Sequence, residues 1–80
     1  MKKKIAILGS TGSIGENTLQ IIDDDQKKFK VELLSTNKNI NKIYKQAKKF
    51  NVKNLIIHDK NTFLKNYFFL KKIKLKLFKM

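Results

Sequence analysis

Three glycines, Gly9, Gly12 and Gly15, are the residues of this 80-residue chain whose type and spacing point most directly to chemistry. Ser10, Thr11, Ser13 and Ile14 fill the intervals between them. The segment follows the apolar run Ile5-Ala6-Ile7-Leu8 and opens a stretch with helical periodicity. In that setting each glycine has its own task. The first lets the chain turn sharply off a strand, the second lets backbone approach a pyrophosphate, and the third lets helix and strand pack closely. A helix N-terminus directs free N–H groups and a partial positive charge at the phosphates. Ser10, Thr11 and Ser13 add hydroxyl donors. GxxGxxG is a relative of the GxGxxG dinucleotide pattern, and the strand–turn–helix context gives it weight. The kinase-type pattern GxxxxGK followed by Ser or Thr is absent. The bland alternative is a glycine-rich turn that holds no ligand.

The end of the second apolar run decides which dinucleotide fits. An NAD site usually has Asp or Glu there, about 20 residues beyond the glycines, on the ribose hydroxyls. Here the segment reads Ser35-Thr36-Asn37-Lys38-Asn39. No carboxylate repels a 2′-phosphate, and Lys38 is placed to attract one, so NADPH is the expected cofactor. The competing reading makes Lys38 one more solvated lysine among 19. Two other groups invite chemistry and are read as inert. Asp23-Asp24-Asp25 are consecutive carboxylates at an expected helix end, where solvated loop is a better account than a metal site. His58, the single histidine, has no partner motif and reads as a strand-end residue. No nucleophile–base constellation is visible, so no catalytic residue is assigned.

The elements that must position the glycines follow from periodicity. Lys4–Leu8 reads as a strand, and its unbroken apolar run suits burial on both faces of a parallel sheet. Ser13 and Glu16 have capping-box spacing at the start of a helix. Ile14, Thr18, Ile21 and Ile22 are expected on its apolar face. The helix should end at Asp23-Asp24-Asp25, because a negative dipole end disfavours carboxylates. Val31–Thr36 reads as the second strand. Ile40, Ile43, Tyr44, Ala47 and Phe50 mark a second amphipathic helix capped by Asn39. Leu55-Ile56-Ile57 is the third strand. The β-α-β-α-β order predicts an α/β fold, the N-terminal half of a Rossmann-type parallel sheet with right-handed crossovers.

Composition bounds the rest. A chain of this length is one domain at most and buries only about 60% of its unfolded surface. With no cysteine, disulfides and cysteine metal sites are excluded. The net charge of +13 suggests nucleic acid or an anionic membrane. The basic residues, however, are all lysine and scattered, as an AT-rich genome tends to encode, and arginine forks are absent. Nucleic acid is therefore not an expected partner. The apolar run after Lys2-Lys3-Lys4 stops at Gly9, too short for a secretory signal, and nothing approaches a membrane span. A cytoplasmic location is expected.

At the quoted residues the chain resembles 1-deoxy-D-xylulose 5-phosphate reductoisomerase, the NADPH enzyme of non-mevalonate isoprenoid synthesis. The resemblance rests on Ile5–Gly15 with Thr18-Leu19, on Phe29-Lys30-Val31, on Asn37-Lys38-Asn39-Ile40 and on Leu55-Ile56-Ile57. It implies that Thr11, Gly12, Ser13 and Ile14, within the frame of Gly9 and Gly15, contact the cofactor's pyrophosphate region. It also implies that Asn37, Lys38 and Asn39 surround the adenosine 2′-phosphate. Family members typically have glycine at position 37, where this chain has Asn. The resemblance implies a sugar-phosphate substrate, a divalent cation (Mg or Mn) and a homodimer. The family's carboxylate metal ligands, substrate phosphate site and mobile catalytic loop have no counterpart in these 80 residues. The expectation is a cofactor-binding part that is inactive alone. The alternative is a small non-catalytic module for a nucleotide or an anionic surface.

Residues 1–62 are read as the NADPH-binding half-domain and 63–80 as an atypical tail, with the resemblance fading after about Lys60. Asn61–Lys65 could start a helix, and Ile73–Leu77 alternates at period two like an exposed strand. A frameshift or premature stop would produce such a lysine- and phenylalanine-rich run. A basic amphipathic segment for a membrane surface is the rival reading.

Overall fold

The computed structural model describes residues 2–72 and 76–78. Strand β1 spans Lys3–Ile7, helix α1 Ser13–Asp23, and strand β2 Phe29–Thr36. Helix α2 spans Ile40–Phe50, strand β3 Asn54–Ile57, helix α3 Lys60–Lys72, and strand β4 Lys76–Phe78. The four strands form one parallel sheet in the order β1-β2-β3-β4. The α/β Rossmann-type arrangement expected from the sequence is present.

Each strand is laid beside its predecessor in one direction, so right-handed crossovers put every helix on the same face. The contacts between helices agree. Lys42 pairs with Glu16, and Lys49 with Asp23 at 3.1 Å, tying α2 to α1. The Tyr44 ring meets Phe69 edge-on at 6.2 Å, tying α2 to α3. Beneath this layer Ile7, Val31, Leu34, Leu55 and Ile57 of the sheet pack on Leu19, Ile22, Ile43 and Ala47 of α1 and α2. Ile43, fully buried, contributes about 2 kcal/mol by leaving water.

The one-sided layer explains a correction at β1. Ile7 is buried, but Ala6 and Leu8 are exposed, so this edge strand is not covered on both faces. A register shift between Ile5 and Ala6 explains another feature, the core set of β2. The extra residue breaks the period of two, so Val31 and Leu34 both reach the core.

Helix α1 departs from expectation in two ways. Gly12 is its N-cap and makes no side-chain cap, so Ser13 and Glu16 form no capping box. The buried face is Gly15, Leu19 and Ile22, while Ile14 and Ile21 are exposed. Close seating of Gly15 fixes the helix rotation and turns Ile14 outward. Helix α2 follows its pattern, with Asn39 Oδ1 accepting from the Lys42 N–H at 3.3 Å. Asn51, at φ 55, closes it in the left-handed conformation that Asn tolerates.

Helix α3 runs across the boundary drawn after residue 62 and reaches Lys72. Strand β4 then adds to β3, with Leu55 opposite Leu77. Of the period-two segment expected to form a strand, Ile73, Lys74 and Leu75 lie outside the described residues. In the usual doubly wound order the fourth strand lies beside β1. Here it lies beside β3, and β1 has a free edge among the described residues. No helix among those residues is long and apolar enough to cross a membrane.

Candidate functional site

The glycine loop leaves the C-terminal end of β1 and is fastened to the end of β2. Gly9 takes φ +69, where a side chain would be strained, and so turns the chain off the strand. Its N–H donates to Ser35 Oγ at 2.7 Å, and the Ser10 N–H to the Ser35 carbonyl at 2.9 Å. The hydroxyls of Thr11 and Thr36 lie 2.7 Å apart. Gly15 is glycine for space: a Cβ there would meet Gly9 O at 2.4 Å and Ser10 Cα at 2.6 Å. The loop and the first turn of α1 are therefore pressed together.

Gly12 is different. Its φ of −83 and ψ of 173 are open to any residue, and an added Cβ would touch only Gly9 O, at 3.5 Å. Nothing inside the protein requires glycine there. What a side chain at Gly12 would fill is the space in front of the helix N-terminus. The first-turn N–H groups of α1 have no partner within the helix and face that space. Thr11 is half-buried, while Gly12, Ser13 and Ile14 are exposed around it, Ile14 at 84%.

One hydroxyl expected to serve a phosphate is spent elsewhere. Ser10 is fully buried, and its Oγ donates to Gln46 Oε1 at 2.8 Å. Gln46 Nε2 donates back to the Ser10 carbonyl at 2.9 Å. Periodicity could not find this clamp, because Gln46 reads as a polar residue beside the Ile43–Ala47 stripe. Ser35 and Thr36 were visible as strand residues but not as the anchors of the loop.

The second half of the site lies between β2 and α2. Asn37, Lys38 and Asn39 are all exposed. Asn37, where the resemblance leads one to expect glycine, is not strained: Asn51 is the only non-glycine residue with positive φ among those described. Its carbonyl accepts from the Asp59 N–H at 3.0 Å. Lys38 and Ile40 face Asn61, Thr62, Lys65 and Asn66 of α3 across an open cavity of about 400 Å³. Asp59 also belongs here, and the sequence reading passed over it. Its Oδ2 accepts from Thr62 Oγ1 at 2.8 Å and from the Thr62 N–H at 3.0 Å, capping α3. Those two bonds hold the Asp59 carboxyl below its ordinary range, the hydroxyl first, with the Lys38 charge adding a smaller share. The signal was an Asp three residues before a Thr at a helix start.

The remaining carboxylates make structural pairs. The Asp23 carboxyl is pulled below its ordinary range by hydrogen bonds from Lys49 and Gln26, and Asp25 pairs with Lys28 at 3.5 Å. Among the described residues no three His, Asp or Glu side chains converge to hold a metal ion, so these residues do not fit the divalent cation that the resemblance implies. His58 is exposed directly after β3, its N–H donating to the Thr36 carbonyl at 3.0 Å.

Comparison with known proteins agrees with the loop and extends beyond it. The family model for 1-deoxy-D-xylulose 5-phosphate reductoisomerase matches residues 5–78, well past Lys60, where the resemblance had been expected to fade. The enzyme of that name from Pelagibacter ubique is 60% identical over 76 residues, which are 95% of this chain and 20% of the relative. The apicoplastic enzyme from Plasmodium falciparum is 47% identical over 62 residues, 74% of this chain and 13% of the relative. Among solved structures, the Zymomonas mobilis reductoisomerase in complex with NADPH superposes with a TM-score of 0.86 at 26% identity. That match covers 99% of this chain and 21% of the other. The chain thus spans about a fifth or less of the length of these relatives. By fold, loop and match, this chain belongs to the 1-deoxy-D-xylulose 5-phosphate reductoisomerase family.

Proposed function

We propose that this chain is the NADPH-binding N-terminal part of a cytoplasmic reductoisomerase of isoprenoid biosynthesis. The observation that carries the reading is Gly12. It is a glycine that neither backbone angle nor packing demands, set before the open N-terminus of α1. A pyrophosphate close to the backbone supplies the missing reason. Ile14 supports it: an apolar side chain left 84% exposed beside the loop gains a cover when a nucleotide is seated. A relative solved with NADPH has the same fold.

In this reading Gly9, Gly12 and Gly15 shape the loop, the backbone of Thr11, Gly12, Ser13 and Ile14 receives the pyrophosphate, and the hydroxyls of Thr11 and Ser13 add to it. Asn37, Lys38 and Asn39 receive the 2′-phosphate, Lys38 as a point charge. NADPH, when bound, supplies the hydride, and these residues hold and orient it. The sugar-phosphate substrate, the divalent cation and the homodimer belong to the whole enzyme's reaction. The 80 residues by themselves bind cofactor without turning over substrate.

Lys38→Glu tests the assignment. It should weaken NADPH at least about tenfold and leave NADH little changed, because only NADPH carries the 2′-phosphate. Dissociation constants from nucleotide fluorescence titration measure both. Equal loss for the two cofactors contradicts the placement of the 2′-phosphate at Lys38.

A further inference from the structure

We propose that Gln46 is a positioning residue for the phosphate loop, an inference that rests on the NADPH reading for its ligand but not for its geometry. Gln46 lies on α2, 36 positions along the chain from Ser10. A glutamine on the polar side of a surface helix ordinarily spends its amide on water. This one is half-buried and spends both ends on a single residue. Its Oε1 accepts from Ser10 Oγ at 2.8 Å, and its Nε2 donates to the Ser10 carbonyl at 2.9 Å. Ser10 has no exposure to solvent; its Oγ also lies 3.3 Å from the Ser35 carbonyl, whereas its carbonyl has Gln46 as its one partner among the described residues.

The consequence follows from the planarity of the peptide. The Ser10 carbonyl and the Thr11 N–H belong to one plane and point in opposite directions. Pinning the carbonyl toward α2 turns the Thr11 N–H away from α2. That N–H makes no hydrogen bond among the described residues, so it is left for a ligand. Gln46 thereby sets the direction of a donor that it does not itself touch. It also links the two halves of the site. Asn39 caps the same helix about two turns earlier, beside Lys38, so one rigid element holds both the pyrophosphate loop and the 2′-phosphate end.

Two variants separate positioning from bulk packing. Gln46→Leu removes the amide at similar volume. Gln46→Glu keeps length and an acceptor, but its carboxylate cannot donate to the Ser10 carbonyl. In the free chain, both should speed hydrogen exchange or raise mobility at the Ser10 to Ser13 amides, read by ¹⁵N NMR, while the Leu34 and Leu55 amides of the sheet stay unchanged. Both should also raise the NADPH dissociation constant about tenfold, the effect of losing roughly one buried hydrogen bond. Unchanged loop amides in the free variants overturn the proposal, as does loosening spread equally over Leu34 and Leu55. If Gln46→Leu does not fold, Gln46→Glu decides alone. Failure of the wild-type chain to bind NADPH defeats the proposed function, while the free-chain amides still decide the role of Gln46.

Discussion

The three loop glycines are there for three different reasons, and substitution separates them. At Gly15 an alanine Cβ falls within 2.4–2.9 Å of backbone atoms of Gly9 and Ser10, which cannot move aside as a side-chain tip can. Gly15→Ala should destabilise the fold by about 3 kcal/mol. At Gly12 the same change meets only an ordinary contact at 3.5 Å. Gly12→Ala should keep the melting temperature within a few degrees of the parent yet weaken NADPH several-fold. Thermal melts by circular dichroism, paired with nucleotide titration, read both quantities. A Gly12→Ala protein that binds as well as the parent would show that no ligand approaches there. At this scale the sequence was legible where type implies backbone, as with the glycines and the Asn39 cap. It was silent where a polar side chain reaches across the fold. Ser10 looked like a phosphate donor and is buried against Gln46, because hydrogen bonds between residues 36 apart leave no local pattern.

Among the elements, α3 is the one whose start depends on a single charge. Asp59 receives two bonds from Thr62, and nothing acidic supports the helix's first turn. Its carboxyl sits below the ordinary range when folded, so the stabilisation is complete above the unfolded value near 4 and fades as pH falls through the folded value. Asp23 adds to the same slope through Lys49 and Gln26. Melting temperature should therefore fall on acidification below about pH 4, and Asp59→Ala should lower it at neutral pH while flattening the acid slope. A slope unaffected by Asp59→Ala would mean that the cap carries no stability. Helix α2 and strand β3 were legible because one face is buried in a regular period. The tail was not. Phe63, Tyr67 and Leu70 make the less exposed face of α3, but Leu64, Phe68 and Phe69 are apolar and exposed off that face, so the apolar pattern does not mark which face is buried. Strand β4 pairs through backbone to β3, and a three-residue strand carries too little pattern to announce its register.

For the molecule as a whole, the winding of the sheet matters most. All four strands proceed in one direction and all three helices lie on one face, so on the proposed function the described residues form one wall of a dinucleotide crevice. The switch point, where a strand on the far side of β1 would complete it, is not formed among them. That wall holds the glycine loop and Lys38, the parts proposed to receive the pyrophosphate and the 2′-phosphate. The excess of positive charge, +13 for the chain, favours a ligand with several phosphate charges at any approach angle. Specific seating must then be separated from general attraction to lysine. The most direct measurement is a ¹⁵N NMR titration of the chain with NADPH, followed by NADH at the same ionic strength. The account predicts saturable shifts confined to Gly9–Gly15 and Asn37–Asn39, with NADPH the tighter ligand. Absence of saturation, or shifts spread over the lysine-bearing surface and alike for both cofactors, would contradict it.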